Sequence, residues 1–178
     1  MQLELDPIVD FMLRGGLAAI LALAAIHKLR ERGTFEGQLL AYDLLPEGIV
    51  HGASRAIPLI ELAAALFLMM RSEHASLTAA AIFFIYGVAM TINLARGRRD
   101  IDCGCGGPDG KQTLHPALVV RNLVLTICAL MISWPLVARP TGWVDTLISI
   151  LAAVAFLAIY TAFNTLMANL PGTQRLKD

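Results

Sequence analysis

The sequence predicts an all-α integral membrane protein, folded as a compact bundle of about five transmembrane helices (a four-helix core plus one) with a short interfacial helix in the first loop. Of its 178 residues, 57% are hydrophobic and 16% charged, and the mean hydropathy is +0.66. A soluble domain has roughly 45–50% apolar and about 25% charged residues. The apolar stretches lack the two-residue alternation of barrel strands, so helices remain as the spanning structure.

The composition also excludes several classes of protein. An apolar content this high excludes a disordered chain. Fourteen Lys and Arg residues balance fourteen Asp and Glu residues, so no net positive charge attracts nucleic acid. Three cysteines are too few for a disulfide scaffold and leave at least one of them unpaired within the chain.

Five stretches approach the length of about 20 mainly apolar residues that a spanning helix needs. The predicted spans, all within one domain of residues 1–178, are 9–26, 49–70, 75–94, 116–137 and 144–166. The third span has no charged residue, whereas the others carry Arg14, Arg55 with Glu61, Arg121, and Asp145 at the mouth of the fifth. Acidic residues precede the first span where a signal peptide would be basic, so we expect this span to be retained.

The loop after the first span is longer than a turn. Phe35, Leu39 and Tyr42 recur at helical spacing behind Thr34. The interval from Thr34 to Leu45 is therefore predicted to be a short amphipathic helix in the membrane interface, with a mobile connector as the alternative.

Positive charge in the loops predicts the orientation of the chain. The loops after the first and third spans and the tail after the fifth hold Lys28, Arg30, Arg32, Arg96, Arg98, Arg99, Lys111, Arg175 and Lys177. The opposite loops hold only Arg71 and Arg139. This distribution places the N-terminus outside and the C-terminus in the cytoplasm.

Two cysteines separated by a single glycine, Cys103 and Cys105, form the most specific chemical signal. A disulfide closed across so short a ring is strained, and strained exposed disulfides exchange readily. Three interpretations stay open: a thiol–disulfide site, half of a copper(I) or zinc site completed by a second chain or a His, and ordinary cysteines in a Gly-rich turn.

Cys128 lies midway along the fourth span, seven residues after Arg121 and on the same helix face. If water reaches that face, Cys128 could act as a resolving thiol for the pair in the loop. The alternative is a buried cysteine that only packs against its neighbours.

Glu61 is an intramembrane carboxylate, and such groups usually face the bundle interior and find a partner. Arg121 is the first candidate partner, with Arg55 or Lys28 as alternatives at the helix ends. Glu61 is then either a carboxylate coupled to proton or electron transfer, supported by Arg121, or a paired group that sets helix packing. For Lys28 itself, the simplest interpretation is snorkelling to lipid head groups.

Several motifs together make the chain resemble the MauE family of methylamine-utilisation membrane proteins, within the broader MauE/DoxX redox-associated group. They are His27-Lys28-Leu29-Arg30, Ala41-Tyr42-Asp43-Leu44-Leu45-Pro46, Glu61 after Pro58, Asn93-Leu94-Ala95-Arg96-Gly97-Arg98, Asp102-Cys103-Gly104-Cys105-Gly106 and Arg121-Asn122. The cysteine block is the most specific of them. One departure is Gly107, where the family often has an aromatic residue.

The resemblance implies a bacterial cytoplasmic-membrane protein that acts in processing, transport or disulfide formation of the periplasmic methylamine dehydrogenase small subunit. It implies a thioredoxin-like MauD-type partner, with which Cys103 and Cys105 would exchange electrons as a thiol–disulfide oxidoreductase. No cofactor or metal is evident, and no quinone site can be argued from Tyr86 or Arg121 alone. A thiolate-based metal permease or receptor and a scaffold without chemistry are the competing functions.

The predicted orientation conflicts with a periplasmic role, because it places Cys103 and Cys105 on the cytoplasmic side. Three resolutions exist. The loop folds into the bundle, electrons cross the membrane through Cys128, or the predicted topology is reversed. The first two are favoured over the third.

Overall fold

The computed structural model describes residues 4–72, 74–103 and 112–174, with side chains described as far as residue 169. All regular structure in these residues is helical, which confirms the predicted all-α class. The six helices are α1 (Pro7–Arg30), α2 (Arg32–Tyr42), α3 (Glu47–Met69), α4 (Ala75–Ala95), α5 (Pro116–Met131) and α6 (Trp143–Gln174).

Four of these helices, α1, α3, α4 and α6, are long and apolar enough to cross a bilayer. The fourth predicted span is shorter than expected, because α5 has 16 residues and ends at Met131 rather than near residue 137. A proline disfavours the helical conformation of the residue before it, and Pro135 follows directly on Trp134. The chain therefore leaves the helix in tight turns before Pro135.

Local sequence signals set the start of two helices. The Asp6 carboxylate accepts a hydrogen bond from the backbone N–H of Ile8, and Pro7 occupies the first position of α1. In the same way, His115 accepts from the N–H of Ala117, and Pro116 begins α5. A polar N-cap followed by proline satisfies one unpaired N–H and removes another, so each helix begins at its proline. For α5 this is the predicted start, whereas α1 begins two residues before the predicted start at residue 9.

The main apolar core lies between α1, α3, α4 and α5. Its buried members include Leu17, Leu21, Ala64, Leu68, Ala79, Phe83, Leu125 and Ala129. Helix α6 lies against the outside of this core through partly buried side chains such as Phe156 and Tyr160. Large apolar side chains cover the outer surfaces of α3 to α6, as a lipid-facing surface requires.

Helices α1 and α6 approach closely at Gly16. A Cβ placed on Gly16 would lie 2.5 Å from Cδ1 of Phe156, whereas one on the neighbouring Gly15 would lie 3.8 Å from Cβ of Ala153. The missing side chain at Gly16 thus makes room for the Phe156 ring.

The bundle has two ends with different contents. The Arg139 end, as we call it, carries the starts of α1, α4 and α6, and there the N–H of Leu5 donates to the carbonyl of Pro135 at 2.8 Å. The Cys103 end carries α2 together with the starts of α3 and α5. At this end Tyr42 of α2 donates its hydroxyl hydrogen to the carbonyl of Cys103 at 3.3 Å.

Helix α2 occupies the loop in which a short helix was predicted. It begins two residues before Thr34 and ends three residues before Leu45. It ends where Asp43 adopts the left-handed conformation, with φ of 51°. Phe35 is its buried residue, and α2 packs against α3 and α1.

Candidate functional site

Three polar side chains from different helices meet inside the bundle. Lys28 of α1 donates from Nζ to Oε1 of Glu61 in α3 and to the hydroxyl oxygen of Tyr86 in α4, the latter at 3.0 Å. Tyr86 in turn donates to the same Glu61 oxygen at 2.5 Å. Lys28 is 5% exposed and Glu61 1% exposed, so each charge depends on the other for compensation.

These contacts correct two expectations drawn from the sequence. The interpretation of Lys28 as a snorkelling residue is wrong, because its ammonium group turns inward to Glu61. Arg121, the first candidate partner for Glu61, instead donates to Oδ1 of Asn164 in α6 at 2.5 Å and lies 5.5 Å from the Tyr160 ring. The alternative pairing with Lys28 is confirmed, since α1 and α3 pack directly against each other.

Aromatic rings surround the Lys28 ammonium group. Nζ lies 5.2 Å from the ring centre of Phe35 and 4.6 Å from that of Tyr86. Attraction of a cation to a ring face strengthens when water is excluded. The rings therefore stabilise a positive charge here without adding a second negative one.

The second carboxylate oxygen of Glu61, Oε2, is buried and accepts no hydrogen bond from any residue that the structure describes. A buried acceptor of this kind usually has a partner, and its exceptions often mark a functional group or an unseen ligand or water. This oxygen is therefore able to take a proton or a donor from a bound molecule.

A cavity of about 290 Å³ adjoins this cluster. Helix α2 with the turn after it and α4 contribute most of the lining residues. Its lining includes Lys28, Phe35, Tyr42, Tyr86, Met90 and Cys103. The structure thus brings Lys28 and Tyr86 of this cluster and one cysteine of the predicted pair onto the surface of a single cavity.

Cys103 is held by a buried glutamine. Its Sγ donates to Oε1 of Gln112 at 3.3 Å, and its backbone N–H donates to the Gln112 carbonyl at 2.8 Å. Gln112 is itself fully buried and donates from Nε2 to the backbone carbonyl of Asn164 at 3.3 Å. These bonds join the two residues that flank 104–111 in the chain and connect them to α6.

The cysteine also belongs to a small apolar cluster. Cys103 packs with Met90, Leu114 and Leu118 at the ends of α4 and α5, and it is 6% exposed. Its partner in the predicted pair, Cys105, lies outside the described residues. The structure therefore places one thiol of the pair in a shielded position beside the cavity.

Cys128 occupies a different part of the bundle. It is half-buried and packs against the main core, whereas Leu118, ten residues earlier on α5, contacts the Cys103 cluster. Ten helical residues span about 15 Å along the axis. The structure does not bring Cys128 next to Cys103.

Metal-binding side chains do not gather within the described residues. No group of three or more His, Cys, Asp and Glu side chains there converges on one point. The cavity lining instead combines the thiol of Cys103, the Lys28 ammonium group that pairs with Glu61, and the phenols of Tyr42 and Tyr86.

Sequence reasoning missed Gln112 and Asp10 and did not place Tyr86. Gln112 follows the Gly-rich segment with no distinctive pattern, so no sequence signal could have identified it. Asp10 had a signal, because it lies four residues before Arg14, the spacing of an intrahelical ion pair. Tyr86 is polar in a span without charge, which marks it as a residue facing the bundle interior.

Comparisons with known proteins agree on one family. The family model "Methylamine utilisation protein MauE" matches residues 6–135. Among curated proteins, the methylamine utilization protein MauE of Paracoccus versutus is 37% identical, with 97% of this chain and 96% of that protein aligned. The proteins of the same name from Methylorubrum extorquens and Paracoccus denitrificans are 37% and 34% identical, each with 91% of this chain and 89% of the relative aligned.

No solved structure matches the chain. The family model covers well over half of it, and the alignments with the relatives cover nearly its whole length. The chain therefore belongs to the MauE family of methylamine utilisation proteins.

Proposed function

We propose that this accessory protein of methylamine utilisation is a membrane thiol–disulfide partner of a thioredoxin-like, MauD-type protein. In this role it acts in the processing, transport or disulfide formation of the methylamine dehydrogenase small subunit, and Cys103 and Cys105 form its redox pair. The observation that carries the proposal is the position of Cys103, whose thiol is held by Gln112 on the wall of the cavity that Lys28 and Tyr86 also line.

The proposed reaction is a disulfide exchange. A thiolate of the partner attacks one sulfur of the Cys103–Cys105 disulfide, and a mixed disulfide forms as the bond between the pair breaks. The second thiolate of the partner then attacks the mixed disulfide. The partner leaves with a disulfide, and this protein keeps two electrons and two protons as a dithiol.

The surroundings of Cys103 support a specific reaction. A thiol that is 6% exposed is shielded from small oxidants in solution, and reactivity of cysteine depends on access as well as on thiolate character. Its acceptor Gln112 carries no charge and so does not repel an approaching thiolate. Burial therefore protects Cys103 from random oxidation, and exchange with a docked protein requires that docking opens access to a sulfur of the pair.

The membrane arrangement that we propose has five crossings, by α1, α3, α4, α5 and α6, with α2 in the interface. Helix α5 has 16 residues and spans about 24 Å, somewhat less than the hydrocarbon core of about 30 Å. Local thinning of the bilayer accommodates a short span at modest cost. The alternation of helix ends between the Arg139 end and the Cys103 end supports this count.

With the N-terminus outside, the Cys103 end faces the cytoplasm of a bacterial inner membrane. The burial of Cys103 between α2, α4 and α5 favours a pair that is folded into the bundle as the resolution of the conflict with a periplasmic role. Transfer of electrons through Cys128 is the alternative. It requires rearrangement, because about 15 Å of helix separates the two regions.

The test is to trap the mixed disulfide in membranes. A partner variant that retains only its attacking cysteine should accumulate a covalent complex with the wild-type protein. The complex should disappear with either Cys103→Ser or Cys105→Ser, because each change removes the disulfide that the partner attacks, and it should persist with Cys128→Ser as the control. Absence of any complex, with the pair always reduced, contradicts the proposal.

Two outcomes would replace the proposal with another function. If the reduced pair binds copper(I) or zinc stoichiometrically and shows no exchange, the protein is a metal receptor or permease. If dehydrogenase maturation is unchanged by both Cys103→Ser and Cys105→Ser, the protein is a scaffold.

A further inference from the structure

We infer that the cavity between Lys28, Tyr86 and Cys103 binds the head group of a lipophilic membrane quinone, which reoxidises the cysteine pair. The inference rests on the proposed function, because each disulfide passed to the partner leaves a dithiol behind. Two electrons and two protons must then leave the pair before the next turnover.

The cavity suits a flat, uncharged ring. Its volume of about 290 Å³ lies just below the range of about 300–1,000 Å³ that small-molecule sites occupy. The rings of Phe35, Tyr42 and Tyr86 supply flat apolar surface, and Ile57 and Ile85 add aliphatic walls. Aromatic side chains pack well against a planar ring in offset or edge-on contact.

The polar end of the cavity offers hydrogen-bond donors and no net charge. Of the three N–H groups of Lys28, one points to Glu61 and one to Tyr86, which leaves one for an acceptor in the cavity. Because the Glu61 carboxylate neutralises the Lys28 ammonium group, an anion such as a lipid phosphate gains little here. A quinone carbonyl is an uncharged hydrogen-bond acceptor. It can therefore accept from the remaining N–H group of Lys28 at a site that carries no net charge.

The reaction balances with a quinone as the oxidant. The two thiols of Cys103 and Cys105 lose two electrons and two protons as the S–S bond forms, and the quinone gains both to become a quinol. Glu61 does not itself line the cavity, but it contacts Lys28 and Tyr86, which do. Its Oε2 receives no hydrogen bond from the described residues, so it can hold one proton that passes through these two side chains. The protein then returns to the disulfide state that the exchange with the partner needs.

The cavity lies among helices of membrane-spanning length. Its lining residues come from α1, α2, α3 and α4 together with Cys103, and α1, α3 and α4 are apolar and long enough to cross a bilayer. A carrier with an isoprenoid tail dissolves in the bilayer beside them. The position of the cavity beside spanning helices therefore favours a lipophilic carrier.

The experiment measures binding and reduction of decylubiquinone by the full-length protein in phosphatidylcholine nanodiscs. Ala89→Phe places a ring inside the cavity, because Ala89 lines it. Ala81→Phe makes the same change on the exposed face of the same helix and is the matched control. We expect Ala89→Phe to weaken binding by about tenfold or more, with no change in Ala81→Phe.

A second variant keeps the inference testable if Ala89→Phe does not fold. Tyr86→Phe keeps the ring and removes the hydroxyl group that accepts from Lys28 and donates to Glu61. Because this hydroxyl group helps to position the Lys28 ammonium group, we expect the change to weaken binding by about threefold to tenfold. Equal affinity in wild type, Ala89→Phe and Tyr86→Phe overturns the inference, as does no binding by the wild type.

The thiol chemistry is separated from the cavity by the double variant Cys103→Ser/Cys105→Ser. We expect this variant to bind decylubiquinone and to leave it unreduced, whereas the reduced wild type converts it to the quinol. If the wild type exchanges disulfides with its partner and binds no quinone, the inference fails alone. If quinone binds and disulfide exchange is absent, the proposed function fails alone.

Discussion

Arg71 closes a salt bridge to Asp10 and thereby ties the turn after α3 to the first turn of α1. Its Nη2 donates to Oδ2 of Asp10 at 2.7 Å, and Arg14 donates from Nε to the same carboxylate at 2.9 Å. Asp10 is completely buried, so two guanidinium groups compensate one carboxylate. Arg71 adopts a left-handed backbone conformation with φ of 55°, and the salt bridge helps to hold it there.

We expect Asp10→Asn to lower the free energy of unfolding by about 1.5–3 kcal/mol, because buried hydrogen bonds to charged groups contribute about this much. The measurement is reversible unfolding in mixed detergent micelles. Asp43→Asn is the control, since Asp43 pairs with Arg98 at the exposed surface, where ion pairs contribute about 0–1 kcal/mol. Equal effects of the two changes would contradict the role of Asp10.

Removing one partner of the buried Lys28–Glu61 ion pair should lower the free energy of unfolding. We expect Lys28→Met to destabilise the protein by about 3–5 kcal/mol, because Glu61 is left buried without its partner cation. The double variant Lys28→Met/Glu61→Leu should recover most of this loss, since an apolar pair of similar volume needs no compensation. Arg55→Met, an exposed change on α3, should alter unfolding by about 0.5 kcal/mol or less.

The free energy of unfolding of all three variants is measured in the same mixed detergent micelles. A double variant that is as unstable as Lys28→Met would show that the cost is lost packing rather than an uncompensated charge.

The contact between α1 and α6 predicts opposite effects at two adjacent glycines. We expect Gly16→Ala to cost about 1–3 kcal/mol, because the new Cβ would meet the Phe156 ring at 2.5 Å. Gly15→Ala should be neutral or stabilise by up to about 1 kcal/mol, since its Cβ has room and alanine favours the helix. Thermal unfolding of the two variants side by side checks the prediction, and a more stable Gly16→Ala protein would refute it.

Acid should reduce the stabilisation that the Asp6–Arg139 contact gives to the Arg139 end. A hydrogen bond from Arg139, and next one from the N–H of Ile8, hold the pKa of Asp6 below its ordinary value of 3.8. The folded protein therefore keeps Asp6 ionised where the unfolded chain would protonate it. The resulting stabilisation is present above about pH 4 and is lost as pH falls through the lowered pKa of the folded state.

We expect the stability difference between the wild type and Asp6→Asn to narrow as pH falls from about 5 to about 2. Thermal unfolding at each pH measures it. Because Arg139 is the largest cause and the hydrogen bond from Ile8 remains, the same narrowing should be much smaller when Asp6→Asn is made in an Arg139→Gln background. A difference that stays constant with pH would mean that the Asp6–Arg139 contact does not act through charge.

Much of the fold could be predicted from the sequence because spanning helices are long apolar runs with polar limits. The predicted spans 49–70 and 75–94 agree with α3 and α4 to within two residues. The prediction for 116–137 extended beyond α5, since the apolar run continues past the turn before Pro135. Apolarity marks what the bilayer tolerates, and hydrogen bonding decides where a helix ends.

The candidate site could be predicted only in part. Glu61 is visible as a carboxylate within an apolar run, and Cys103 as half of a Cys-Gly-Cys motif. The sequence does not identify Lys28 as the partner of Glu61, because 33 residues separate them and several other cations are candidates for the same carboxylate. Gln112 carries no pattern that distinguishes it from a surface glutamine, yet it is fully buried.

The amino-acid sequence alone determined that this chain is a helical membrane protein and which residues carry unusual chemistry, because hydropathy and residue type are properties of the chain itself. Only the tertiary structure decided that Lys28 rather than Arg121 pairs with Glu61, and that Cys103 lines the same cavity. The reason is geometric: a side chain reaches only the helices packed against its own, and the rotation of each helix in the bundle is set by packing.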